Sequence, residues 1–268
     1  MPAGALHAEQ WEAPGFDFWG FDRELDALAE EGRPLPLAAP VPERLPRFAA
    51  EVLTRAQRLL DRRNAASRSR LFERALTHHR ALHARHGLGD AGRPLVRADY
   101  DHSLDVWQWT LRLAPEAGLA VQLAALLHDV ERLLSEADRR IEHSAADYGD
   151  FKNAHARRGS QLADELLVEA GGCAALRCRV TGLIAGHEGG QSAADPDFGL
   201  LADADSLSFF SLNSPGFLSY YGDDHTRRKV AFTLGRMSPA ARGRLAGLRL
   251  VPEVAGMVGL AAMAGERA

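Results

Sequence analysis

Cysteine is almost missing from this chain: Cys173 and Cys178 are the only two, and they neither form a CxxC pair nor stand in a histidine-rich zinc spacing. That argues against a cysteine metal site, and both are expected as reduced thiols in the core or at the surface. A basic excess is missing too. With 32 Lys and Arg against 36 Asp and Glu, a net charge of -4, the chain lacks the electrostatic footprint of general nucleic-acid binding. Long apolar runs are absent, since no window reaches the roughly 18 residues that a spanning helix requires. The opening stretch "MPAGALHAEQWEAPGFDFWG" has no basic segment followed by an apolar one, so a cytoplasmic protein with no membrane partner is expected. The apolar "VAGMVGLAAMAG" near the C-terminus is too short and glycine-rich to span and is expected to pack on the body. No strand-like alternation of any length and no internal repeat occurs, which makes the expected fold class all-α.

What is present suits a sizeable core, with 46% hydrophobic and 25% charged residues. Residues 1–45 carry a proline cluster, "GRPLPLAAPVPERLP", and read as an irregular arm; residues 46–268 read as one helical domain. Within that domain "RFAAEVLTRAQRLLDRRN" and "SRLFERALTHHRALHARHG" are amphipathic supporting helices. After a loop, "GLGDAGRPLVRA", the stretch "DYDHSLDVWQWTLRLAPEAG" is helical until Pro115 stops it. The following helix carries "LAALLHDVERLL", with Leu119, Leu123, Leu126, Leu127, Val130, Leu133 and Leu134 on one buried stripe. A polar loop, "ADRRIEHSAADYGDFKN", precedes three further helical segments, "AHARRGSQLADELLVEAG", "CAALRCRVTGLIAGH" and "GLLADADSLSFFSL". In "MSPAARGRL", Ser238 reads as a helix cap with proline at the first position.

Polar residues enter these apolar faces at five places. His102 shares a face with Val106, Trp109 and Leu113; His155 with Gly159, Leu162 and Leu166; His187 ends the stripe of Val180, Leu183 and Ile184; Asp205 lies between Leu201 and Phe209. The fifth place is the pair His128 and Asp129. One inward histidine is explained by a hydrogen bond, but four imidazoles and two carboxylates need something to neutralise them. A centre of divalent first-row metals satisfies all six, and Asp129 reaches two ions if it bridges them. Other polar clusters carry less. His78, His79, His83 and His86 in "HHRALHARH" sit among arginines and read as a solvated face; Asp203 reads as a cap or a solvent-facing residue.

His102, then His128–Asp129, then Asp205 in "LLADADSL" resembles the H…HD…D signature of the HD-domain superfamily of metal-dependent phosphohydrolases, over roughly residues 95–215. The resemblance implies an HD-type helical bundle with a metal site on its central helices. "HARRGSQLADELL" and "AGHEGG" resemble the helix and the later turn of the dinuclear members, which implies that His155 and His187 hold a second metal. The chain departs from the cyclic-dinucleotide phosphodiesterase branch in having Gly186 where that branch has another histidine, Arg132 where it has lysine, and no Gly-Tyr-Pro motif. The implied cofactors are two divalent ions (manganese, iron, nickel or cobalt, with magnesium as a further candidate). Two such ions (about +4), two aspartates and a bridging hydroxide leave roughly +1 in a low-dielectric pocket, which attracts a phosphate.

The expected function is therefore hydrolysis of a phosphoester, a nucleotide or a small phosphorylated metabolite, with a metal-bridging hydroxide as nucleophile. Asp129 and Arg132 are the expected catalytic residues, and Arg132, Lys152 and Arg158 the expected phosphate contacts. Arg132 has an alternative reading as an exposed arginine paired with Glu131 or Asp138. Arg139, Arg140, His143 and Arg157 share the basic region and read as solvated, while Glu188 is a candidate supporting acid. Two other functions fit the same residues: a di-iron HD-type oxygenase, and a non-catalytic HD signalling module, against which the complete ligand set argues.

Overall fold

A computed structural model describes residues 70–88, 93–114, 117–141, 147–189 and 195–265. All of them belong to one unit of the chain, Ser67–Leu88 with Arg93–Ala268. The proline-rich arm, the helix expected at residues 47–64 and His143 lie outside the described residues. Among the described residues every regular element is helical and no strand occurs, as the absence of alternation predicts.

The helices run α1 (Arg70–Arg85), α2 (Pro94–Leu113), α3 (Leu119–Leu127), α4 (Arg132–Ser135), α5 (Tyr148–Glu169), α6 (Ala174–Gly186), α7 (Pro196–Ser208), α8 (Ser214–Tyr221), α9 (Asp223–Arg236), α10 (Pro239–Arg244) and α11 (Pro252–Gly265). Two begin earlier than periodicity alone suggests. Pro94 stands at the first position of α2, where its fixed φ and missing N–H suit a helix start, so "PLVRA" is helix rather than loop. Asp147 caps α5, its carboxylate accepting from the Asp150 N–H at 2.8 Å, which brings Lys152 onto the helix. Ser238 caps α10 as expected, accepting from the Ala241 N–H.

α3 is the centre of the unit. Every residue from Val121 to Glu131 is buried, so this segment is enclosed all round rather than along one stripe. It packs against α1, α2, α6 and α7, with Trp107, Leu183, Ile184, Leu201 and Leu207 among the side chains that close the core. The stripe expected to run on to Leu134 does not reach it: Leu134 is 62% exposed. The reason is local. The α-helix ends at Leu127, and residues 128–131 tighten into bonds between neighbours three apart, such as the Arg132 N–H to the Asp129 carbonyl at 3.0 Å. The turn changes the helical phase before α4 begins, so Leu134 rotates outward while His128 and Asp129 both stay in.

The histidine-rich helix α1 is a correction. His79 and His83 are buried rather than solvated, their rings 4.2 Å apart by centroid and both against Tyr100. The arginines that made this helix look charged all round lie between buried positions. Burial lowers His83 to about 4, against the opposing pull of the His79 carbonyl and Asp99, and burial lowers His79 strongly as well. A histidine neutral in the folded chain and free to protonate in the unfolded one costs stability as pH falls from its unfolded value near 6.5. For His83 the loss runs from about pH 6.5 to about pH 4 and then stops, for about 3 kcal/mol in total. Urea unfolding at pH 7.5 and pH 5 is expected to show this decline, and a shallower one in His83→Gln.

Cys173 and Cys178 are exposed free thiols. No helix of the described residues is long and apolar enough to cross a membrane. In the C-terminal segment Val254 and Met257 are buried, and α11 packs along α9, in line with the expected docking on the body.

Candidate metal centre

Five elements converge on one point: His102 from α2, His128 and Asp129 from the turn after α3, His155 from α5, His187 from the 3-10 turn that follows α6, and Asp205 from α7. The structure thus brings all six expected ligands together. The four histidines are almost wholly buried. Asp205, with 20% of its side chain exposed, is the ligand nearest the solvent. Gly159 explains how α5 comes so close, because a Cβ there would lie 3.1 Å from the His128 carbonyl.

Each imidazole is oriented the same way. His128 donates Nδ1–H to the Ala125 carbonyl at 3.0 Å, His187 to the Ile184 carbonyl at 2.6 Å, and His155 to Glu131 at 2.6 Å. The Nδ1 of His102 lies 2.9 Å from the Ser208 hydroxyl. The Ala125 carbonyl only accepts, so His128 Nε2 is left with its lone pair facing the centre. His155 differs: burial is overcome by the carboxylates of Asp129 and Glu131 that hold it and raise it above its usual value, and it would give up its Nε2 proton to an ion. Ligand atoms of His102, His128 and Asp129 lie within 4.8 Å of one another, as do those of Asp129, His155 and His187. Asp129 belongs to both groups. Its Oδ1 is 2.9 Å from His155 Nε2, and its Oδ2 is 3.8 Å from His102 Nε2. Asp205 Oδ1 joins the first group, 3.1 Å from His102 Nε2 and 3.8 Å from His128 Nε2.

These separations fit a metal. Two ligand atoms each about 2.1 Å from one ion stand about 3.0 Å apart at a right angle and about 3.4 Å apart at the tetrahedral angle. The buried Nε2 of His128 has no hydrogen-bond partner, an expensive arrangement for a polar atom that a cation would complete. Burial lowers the His128 imidazole to about 4, despite Asp129 and Asp205 beside it, so it is held neutral, the form in which imidazole ligates. Burial opposes ionisation of Asp129 and Asp205, but Arg132 and the histidines around Asp129, and His102 and Arg236 around Asp205, hold both carboxyls well below the usual range.

A supporting shell surrounds the ligands. Glu131, the partner of His155, also accepts from Arg158 at 2.8 Å and from Ser135 at 3.0 Å, and these bonds overcome its burial to hold it near 2. Nothing in the sequence distinguishes Glu131 from any acid in "DVERLL", because its role exists only once α5 packs beside the turn. The same holds for Ser208, which follows Asp205 by three residues, and for Arg236 on α9, whose Nη1 is 3.4 Å from Asp205 and 3.5 Å from Glu188. Glu131→Ala would leave His155 without its acceptor at Nδ1, and in a manganese titration the group that includes His155 is expected to bind about 10–100-fold more weakly.

The expected phosphate contacts are already engaged. Arg132 donates to Asp129 at 2.8 Å and pairs with Glu136, not with Glu131 or Asp138. Lys152 holds Glu188 at 2.7 Å. Arg158 holds Glu131 and lines an open groove of about 350 Å³ with Leu134, Ser135, Gln161 and Leu162. Arg140, expected as solvated, is mostly buried and grips Asp99 through both Nη atoms at 2.6 and 3.0 Å. Asp203, expected as a cap or at the surface, is buried and accepts from both the backbone N–H and the hydroxyl of Ser238, anchoring the cap of α10.

The family model described as "Domain of unknown function (DUF4202)" matches residues 73–258. The chain belongs to the DUF4202 family. The matched span includes all six candidate ligands and reaches past Arg236, so the centre and its supporting shell lie within the DUF4202 domain. No curated protein and no solved structure matches the chain.

Proposed function

We propose that this DUF4202 domain is an HD-type, dinuclear metal-dependent phosphohydrolase. The observation that carries the reading is the shared carboxylate: two buried ligand groups meet at Asp129, whose Oδ1 lies 2.9 Å from His155 Nε2 and 3.8 Å from His128 Nε2, and whose Oδ2 lies 3.8 Å from His102 Nε2. His102, His128, Asp129 and Asp205 would hold one ion, and Asp129, His155 and His187 the other. When bound, such ions supply Lewis acidity toward a phosphoryl oxygen and activate water as a nucleophile.

The chain's own residues supply positioning and charge. Arg132 and Arg236 each hold Oδ2 of a candidate ligand aspartate, which fixes Asp129 with Oδ1 toward His155 and Asp205 with Oδ1 toward His102. Asp129, Asp205, Glu131 and Glu188 are each paired with Arg132, Arg236, Arg158 or Lys152, so the protein shell is near electroneutral by itself. Divalent ions added to a balanced shell leave positive charge that an anion completes, which favours a phosphorylated substrate. The exposed edge of Asp205 marks the side from which that substrate enters.

The test is metal analysis by mass spectrometry on protein purified without chelator, followed by a phosphoester panel with the ion found. About two manganese, nickel, cobalt or magnesium ions per chain, with phosphate release, is the expected result. Two irons with substrate-dependent oxygen uptake and no phosphate release would replace the hydrolase with the oxygenase.

A further inference from the structure

Arg236 stands apart from every motif that marks the site. It is the last residue of α9, beyond the stretch that resembles the HD signature, yet its guanidinium is 9% exposed and reaches both halves of the centre. Nη1 lies 3.4 Å from Asp205 Oδ2 and 3.5 Å from Glu188 Oε2, and Nη2 donates to the His187 carbonyl at 2.9 Å. One side chain therefore ties α7, which carries a ligand of the first group, to the His187–Gly189 turn, which carries a ligand of the second. That turn has little regular structure to hold it: three residues of 3-10 helix after α6 ends at Gly186. Lys152 holds the other oxygen of Glu188 at 2.7 Å, and the Arg236 bond to the His187 carbonyl holds the backbone of the candidate ligand itself.

We infer that Arg236 is a positioning residue that couples the two metal positions, holding His187 and Glu188 in register with Asp205 so that the second ion is bound at the same time as the first. The inference rests on the dinuclear reading above. Its effect is asymmetric. Asp205 offers the first position its Oδ1, the oxygen turned away from Arg236, so removing the arginine takes no ligand from that ion. In Arg236→Gln the support lost by Asp205 is offset by the loss of a repelling charge, and Arg236→Lys keeps a cation for Asp205. The second position loses the fork that orients the His187 turn. Arg236→Lys keeps the charge but offers a single ammonium in place of two Nη groups, so it cannot reproduce the three contacts.

The experiment is manganese titration of chelator-treated full-length chain, read by calorimetry and by electron paramagnetic resonance, on wild type, Arg236→Gln, Arg236→Lys and His187→Ala. Wild type is expected to bind two ions with the spectrum of a coupled pair. Both Arg236 variants are expected to keep the first ion's affinity, to bind the second at least about tenfold more weakly, and to show the six-line signal of an isolated ion, as His187→Ala does. Arg236→Lys, the milder change, carries the test if Arg236→Gln does not fold. Two ions at wild-type affinity in Arg236→Lys would overturn the coupling role while leaving the dinuclear centre standing. Failure of wild type to take up two ions would overturn the dinuclear reading and the coupling with it.

Discussion

Asp129→Ala is expected to lose both metal ions in one step, whereas His102→Ala and His187→Ala each lose one. The asymmetry follows from connectivity: His102 and His187 belong to one ligand group apiece, and Asp129 to both. Metal analysis of the three variants separates a shared centre from two independent sites, since independent sites would leave Asp129→Ala with one ion. Activity is expected to follow the ions. Loss of several kcal/mol of electrostatic stabilisation corresponds to about 10³-fold or more in rate, so phosphoester hydrolysis by Asp129→Ala falls toward background. The variant also deprives Arg132 of one partner, but Glu136, the nearer one, remains to hold it, so the fold is expected to survive for the measurement. Circular dichroism on the metal-free forms of variant and wild type checks that assumption directly.

The six side chains that converge were legible in the sequence because each interrupts an apolar helical stretch, a pattern that local periodicity exposes. His102 between buried positions of α2 and His187 at the end of the Val180–Leu183–Ile184 stripe are examples, and the structure buries both. The shell behind the ligands was not legible in the same way. Glu131 and Arg236 are charged residues in charged surroundings, and their burial depends on which helix packs across them, which no local pattern encodes. The same limit explains His79 and His83. Read along α1 they look like part of a basic face; Tyr100 on α2 encloses them only after the chain folds back. The phase change after Leu127 was hidden for a related reason, since a short turn of tighter bonds leaves the composition of an apolar run untouched.

Gly186→His asks whether the chain could accept a histidine next to His187, as the resemblance to the cyclic-dinucleotide phosphodiesterase branch would place one. The fold says that the room has been taken. A Cβ on Gly186 would stand 2.4 Å from Cε1 of Phe198 and within 3.3 Å of two more ring atoms. Phe198 sits in the first turn of α7, whose capping Asp195 and neighbouring Asp197 are both gripped by Arg179 of α6, so the ring cannot retreat without disturbing that tie. Overpacking of this kind costs about 3 kcal/mol, which in a domain of this size lowers the melting temperature by roughly 10 °C. The ion count is expected to stay at two or fall, not rise to three. Gly186→His with Phe198→Ala is expected to recover part of the loss, because the second change vacates the space the first requires, a coupling of about 0.5–3 kcal/mol between neighbours. If Gly186→His alone melts with the wild type, the ring yields freely and Phe198 is not what keeps a histidine out. The expected drop in melting temperature, relieved by the second substitution, would instead assign this departure from the phosphodiesterase pattern to packing between α6 and α7.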